Sequence, residues 1–206
     1  AVWTLLWCTR TLLERIHRRC LAAVERPLAA IERRRFVVGP DTVSACGNTV
    51  EENRRRWTRW DWTRAGEEWT DDVARFRGMD PETWRRDLLL RFMDPHLRKR
   101  GTTLEIGPGG GRWTGSLLES SACLHLVDVS ARCLEVCRER FGDPRIVCHL
   151  VHAPDLSFLD DRSIDFVWSY DVFVHVNPMD ADAYLREIAR VLRPGARAVI
   201  HHADRY

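Results

Sequence analysis

Leu104-Glu105-Ile106-Gly107-Pro108-Gly109-Gly110-Gly111-Arg112-Trp113-Thr114 decides the fold of this chain. Thr103 to Ile106 has the β-branched and apolar character of a strand, and helical spacing begins beyond Gly111 with Leu117 and Leu118. A glycine-rich turn between a strand and a helix lets the backbone approach a ligand closely, and the helix start offers free N–H groups and the positive end of a dipole. The dinucleotide fingerprint G-x-G-x-x-G fails here, because Arg112 stands where its third glycine belongs. What remains is an acidic residue two positions ahead of G-x-G-x-G.

Outward from that turn, strands and helices alternate at short intervals. Leu124 to Asp128 reads as strand two, followed by a helix capped at Ser130 with Leu134, Cys137 and Phe141 facing inward. Arg145 to Val151, Ile164 to Ser169 and Ala196 to His201 read as strands three, four and five. Before the last of these, Leu185, Ile188 and Leu192 share one face of a helix that Arg193-Pro194-Gly195 stops. Such alternation predicts an α/β fold, a doubly wound parallel sheet with helices on both faces.

Three regions follow. Residues 1–53 read as a basic amphipathic helix and linker: Leu12, Leu13, Ile16, Cys20, Val24, Leu28 and Ile31 recur at helical spacing between Thr9 and Phe36, Pro27 kinks the run, and Val37 to Asn53 carries turn residues. Residues 54–100 hold a Trp/Arg-rich cap with Trp57, Trp60, Trp62 and Trp69, then a lead-in helix. Asp80 caps that helix, Pro81 opens it, and Trp84, Leu88 and Phe92 form its buried face. The tryptophans fit either anchors onto a core or a stacking platform for bases or sugars. Residues 101–206 form the α/β domain.

Composition narrows the classes further. A net charge of +2 over 206 residues gives no argument for a nucleic-acid partner or an anionic membrane surface. Seven cysteines, an odd number without framework spacing, point to reduced thiols and a cytoplasmic setting. Cys133 and Cys137 share a helix face but lack a second ligand pair, so no metal is expected. No apolar run approaches the ~20 residues a membrane span needs. The absence of an initial Met suggests a processed product or a piece of a longer protein.

From about Trp84 to its end the chain resembles the class I S-adenosylmethionine-dependent methyltransferases, in particular a bacterial subgroup acting on small substrates. The likeness rests on the glycine turn, on Asp155-Leu156-Ser157-Phe158 with the strand from Ser163 to Val167, on Ser169 to Val176, on Leu192 to Ala196, and on the wording around Trp62 to Thr70. It implies a Rossmann-like sheet of order 3-2-1-4-5 with S-adenosylmethionine as cofactor. Glu105 would help hold the cofactor's amino-acid end, Gly107, Gly109 and Gly111 would form its cradle, and Asp128 would accept hydrogen bonds from both ribose hydroxyls. Ser169 and Tyr170 would adjoin the cofactor, Tyr170 through a cation–π contact with the sulfonium.

The chain departs from the family pattern twice. His152-Ala153-Pro154 stands where an acidic residue often meets the adenine amino group, leaving that task to Asp155 or to the backbone. The family's sheet normally has two further antiparallel strands beside strand five, yet this chain stops at Tyr206. The expectation is therefore a C-terminally shortened domain whose strand five is a bare edge at Val199, Ile200 and His201, a feature that invites association with another copy.

Methyl transfer to an oxygen or nitrogen calls for positioning and, where the acceptor carries a proton, a base. His175 is the expected base, with a structural histidine as the alternative, and Asp171 its orienting partner or its replacement. Substrate is expected near Ser169, Tyr170, Asp171, His175, His201 and His202, outside the carboxyl ends of the strands. The acceptor is expected to be a small or glycan-related molecule. The alternatives are a non-catalytic S-adenosylmethionine-binding module and a nucleic-acid methyltransferase.

Overall fold

The computed structural model describes residues 3–9, 47–68, 78 and 80–203. Among these residues lie the strands β1 (Trp3–Thr9), β2 (Gly101–Ile106), β3 (Ser121–Asp128), β4 (Ile146–Leu150), β5 (Ile164–Ser169) and β6 (Leu192–Ala203). The helices are α1 (Val50–Thr58), α2 (Pro81–Leu88), α3 (Thr114–Ser120), α4 (Ala131–Phe141) and α5 (Pro178–Val191). One sheet has the order β1-β6-β5-β2-β3-β4. Strands β2 to β6 are parallel and, counted from β2, give the expected order 3-2-1-4-5.

Side-chain alternation along the strands builds two cores. Phe166, Trp168, Leu124, Leu126 and Val199 point to one face and pack with Trp84, Trp113, Leu117 and Leu134 from α2, the residue preceding α3, α3 and α4. Val167, Leu104, Ile106, Val127, Ala198 and Ile200 point to the other, where α5 covers them with Tyr184, Leu185 and Ile188. Strand β5 is buried along its whole length, as expected for the centre of a parallel sheet. Asp80 and Pro81 start α2 as the sequence indicates, the Asp80 carboxylate accepting from Thr83 N–H at 2.9 Å. Beyond Leu88 the chain widens into a π-helical turn, Leu89–Met93, that fully buries Met93.

Three expectations need correction. Strand five is not a bare edge: β1 pairs antiparallel with β6 from Trp3 opposite Ala203 to Thr9 opposite Arg197, so Val199 and Ile200 have strand neighbours on both sides and His201 pairs with Leu5. The unmet backbone groups of a sheet edge are the physical reason, and the argument for association through that edge falls with it. The linker ends at Thr49, not Asn53. Thr49 and Glu52 form a reciprocal capping box, with Thr49 N–H donating to Glu52 Oε2 at 2.7 Å, and α1 starts there. Leu192 ends α5 and opens β6, which bulges through Arg193 to Ala196 before rejoining its register at Arg197. The amphipathic helix expected up to Phe36 lies outside the described residues.

At the end of the sheet remote from the glycine turn, Asp165 on β5 acts as a clamp. Its carboxylate accepts from Arg98 at 3.1 Å, from Thr102 N–H at 2.9 Å and from Arg193. Burial raises its carboxyl, but the Arg193 bond and the Thr102 N–H outweigh that and hold it below the ordinary range. A depressed folded-state value means stabilisation that is present above the ordinary carboxylate range and lost as pH falls through it. Asp165→Asn should therefore cost about 1–3 kcal/mol at pH 7. Below about pH 3 the difference should shrink toward zero, which urea unfolding at the two pH values measures.

Candidate active site

The carboxyl ends of β2, β3, β5 and β6 converge on a cavity of ≈ 730 Å³, within the range of small-ligand sites. Its floor is the turn after β2. Gly107 has φ +69°, and a Cβ there would lie 2.4 Å from Val172 Cγ2, so both conformation and space demand glycine. Gly110 meets the cap segment as closely, since a Cβ would lie 2.4 Å from the backbone nitrogen of Gly66. Gly107, Gly109 and Gly110 line the cavity. Gly111 does not; it faces Phe141 and Cys137 of α4, and its place in the expected cradle falls to Gly110.

Asp128 closes β3 beside this turn, lines the cavity and is 7% exposed. Burial pushes its carboxyl up to about 6, against the backbone N–H groups of Ser130, Gly109 and Val129. Ser130 is the N-cap of α4 by position, but its side chain makes no capping bond; Asp128 Oδ1 accepts from Ser130 N–H at 2.8 Å instead, while the Ser130 hydroxyl accepts from Thr58 at 3.2 Å. Asp128 thus combines a local turn contact with its place on the cavity wall.

Glu105, Asp155 and Ser169 lie away from the cavity lining. Glu105 is buried behind the turn, where its carboxylate accepts from the Thr114 hydroxyl at 2.6 Å and burial pushes its carboxyl up to about 8. Asp155 is engaged by the backbone N–H and hydroxyl of Ser157, at 2.7 and 3.0 Å, in a surface turn. Ser169 is fully buried and donates to Ile106 O at 3.0 Å, tying β5 to β2. Tyr170, by contrast, lines the cavity, its ring stacked on His201 with centroids 4.4 Å apart.

Asp171 also lines the cavity and stands between a guanidinium and an imidazole. Its Oδ2 lies 3.0 Å from Arg112 Nη1 and its Oδ1 lies 2.9 Å from His201 Nδ1. Burial raises the Asp171 carboxyl, but His201 and Arg112 outweigh it and hold the group below its ordinary range. Its φ of +62° is a left-handed conformation that a non-glycine residue adopts only where its surroundings enforce it. His175 also lines the cavity, packed against Trp57 with ring centroids 5.1 Å apart. Burial, followed by the charge of Arg56, lowers its imidazole below the usual value. Its loop is held by Asn48 and Asn53, which donate from N–H and side-chain amide to His175 O at 2.8 and 3.1 Å.

One participant was not singled out in the sequence. Arg112 entered only as the residue that breaks the dinucleotide fingerprint, yet it is 5% exposed and joins the turn, the cap and the β5 loop, its Nε donating to Gly66 O at 2.5 Å. Trp57 and Trp62 form the cavity roof, with Trp62 against Gly109, so of the two readings of the aromatic segment these rings favour anchoring. Among the described residues no three His, Cys, Asp or Glu side chains are placed to hold a metal, and no helix is long and apolar enough to cross a membrane.

Residues 104–200 match the family model described as a methyltransferase domain. Over that stretch the chain is similar to methyltransferase domains. Over 102 residues the chain is 35% identical to methyltransferase GfsG of Streptomyces halstedii, covering 47% of this chain and 36% of that protein. Over 127 residues it is 31% identical to the demethylmenaquinone methyltransferase of Tropheryma whipplei, covering 56% and 52%. A wheat phosphoethanolamine N-methyltransferase matches at 24% over 169 residues, 79% of this chain and 33% of that one. The chain thus spans about a third to a half of the length of these relatives. Among solved structures, DhpI in complex with SAH superposes with a TM-score of 0.55 at 21% identity, covering 80% of this chain and 71% of that one, and agrees in fold.

The cavity suits S-adenosylmethionine in one decisive respect. Asp128 is a buried, cavity-lining carboxylate whose neutral form is favoured by burial, so ligand hydroxyl donors or a positive charge beside it would restore the ionised form. The glycine turn beside it presents backbone without side chains.

Proposed function

We propose that this domain transfers a methyl group from S-adenosylmethionine to an oxygen or nitrogen atom of a small-molecule or glycan-related acceptor. The observation that carries the proposal is one cavity lined by Asp128, the glycine turn, Asp171 and His201. Asp128 would receive the ribose hydroxyls, and Gly107, Gly109 and Gly110 would bring backbone against the rest of the cofactor. When bound, the cofactor supplies an electrophilic methyl group on a sulfonium. Trp57 and Trp62 would keep water from the reacting atoms, and Tyr170 would face the sulfonium with its ring. A cavity walled by Trp57, Trp62, Trp113 and Tyr170 favours a small acceptor over a duplex, which would need a basic groove.

Calorimetry on the full chain should show S-adenosylmethionine binding and no binding of nicotinamide dinucleotide. Release of S-adenosylhomocysteine should then be followed with catechol, a naphthoquinol, phosphoethanolamine and methyl glucoside as acceptors. Absence of cofactor binding would sink the proposal. Binding without turnover on any small acceptor, but with methylation of RNA or DNA, would transfer it to the nucleic-acid alternative.

A further inference from the structure

We propose that Tyr184 holds the purine ring of the cofactor, its phenolic hydroxyl hydrogen-bonding the ring edge in the part of the cavity next to Asp128. The inference rests on the methyl-transfer reading of the cavity, and it gives to α5 the adenine contact that the sequence assigned to Asp155 or to the backbone.

Tyr184 lies midway along α5, on the face that covers the sheet, and is 4% exposed. Its ring packs edge to face on Phe173, with centroids 5.8 Å apart and 63° between the planes. Phenylalanine would serve that packing equally well, so the hydroxyl is the informative atom. It makes no hydrogen bond to any described residue, and the side chain that carries it lines the cavity. A hydroxyl taken from water and left without a partner is destabilising. One kept at a nearly buried position that borders a cavity is therefore matched to something that enters the cavity.

The neighbours of Tyr184 select what enters. Ile106, Val127, Val129 and Val172 line the cavity and belong to the same core cluster as Tyr184. Asp128, between the two valines at the end of β3, is the proposed ribose ligand. Burial raises the Tyr184 hydroxyl most, followed by the charges of Asp128, Asp180 and Asp155. The phenol therefore stays neutral and keeps both its proton and its lone pairs. Beside the ribose carboxylate the cavity thus offers aliphatic surface and one neutral group that both donates and accepts. A purine fits that combination, being flat, uncharged and apolar on its faces, with donor and acceptor atoms along its edge. An anionic group does not fit, because the same three carboxylates would repel it. Asp155 lies off the cavity lining with its carboxylate engaged by Ser157, so it does not compete for the contact.

S-adenosylhomocysteine and the full chain test the assignment. In their complex, with tyrosine the only protonated side chain, Tyr184 ring protons should show nuclear Overhauser contacts to adenine H2 or H8. The chain has three tyrosines, so the signals lost in Tyr184→Phe identify the residue. Contacts to the ribose protons alone, or to none, overturn the inference. By calorimetry, Tyr184→Phe should bind S-adenosylhomocysteine about 3–10-fold more weakly, the scale of one neutral hydrogen bond, whereas Asp155→Asn should bind as the parent does. Without ligand, Tyr184→Phe should resist urea as well as the parent or better, since the hydroxyl it lacks has no protein partner to lose. Unchanged affinity in Tyr184→Phe, or a ligand-free variant less stable than the parent, also overturns it. A parent chain that binds no S-adenosylhomocysteine would instead strike the methyl-transfer reading itself.

Discussion

Trp168→Ala should lose about 3–5 kcal/mol of folding stability, a large share of the ~5–15 kcal/mol that holds a domain together. Trp168 sits on the central strand β5 with no exposed surface, edge-on to Trp113 at 5.6 Å and stacked on Tyr170 at 6.0 Å. Truncation would leave a void in the middle of the α2–α3–α4 face, bounded by sheet backbone that cannot collapse into it. The indole N–H has no hydrogen-bond partner among the described residues, so the loss is one of packing alone. Trp168→Phe should therefore recover most of it. Urea unfolding followed by circular dichroism gives both values. A cost below about 1 kcal/mol for the alanine variant would show that this face is not packed around Trp168.

The second large effect concerns the cofactor. Asp128→Ala should weaken S-adenosylmethionine binding by about 1.5–3 kcal/mol, the worth of hydrogen bonds to a charged group. Its pH dependence separates this from a general disturbance of the turn. The ionised carboxylate is the form that accepts two hydroxyls, and burial has brought its titration up to about 6. Affinity of the parent chain should thus be level above pH 7 and fall below pH 6, approaching tenfold per pH unit, while Asp128→Asn stays flat across the same range. Calorimetry showing equal affinity in parent and variant at pH 7.5 would remove Asp128 from the site.

Local pattern carried much of this protein into view. The period-two strands, the helix from Pro178 capped by Asn177, and the glycine turn after β2 are all set by residues close together in the chain. So was the place of Asp128, because a strand's last residue before a helix can go nowhere but the sheet's carboxyl edge. What escaped depends on contacts between distant residues or on a backbone angle no motif announces. Asp155 looked like a ligand, but Ser157 two residues on claims its carboxylate. Gly111 and Gly110 exchange roles because Phe141 and Gly66, 30 and 44 residues away, approach from opposite sides. The left-handed turn at Asp171, which brings that carboxylate within 2.9 Å of His201, is likewise announced by no motif.

The pairing of β1 with β6 also bears on the order of events in folding. It joins Trp3 to Ala203, so its formation closes a loop of nearly the entire described chain. The entropy lost in such a closure grows only slowly with length, but the search for contacts so remote in sequence is slow compared with formation of adjacent β–α–β units. Strand β6 offers its outer row of backbone groups only once β5 holds its inner row. The N-terminal strand is thus a late arrival, docking on a parallel sheet already assembled, and its loss should speed unfolding more than it slows folding.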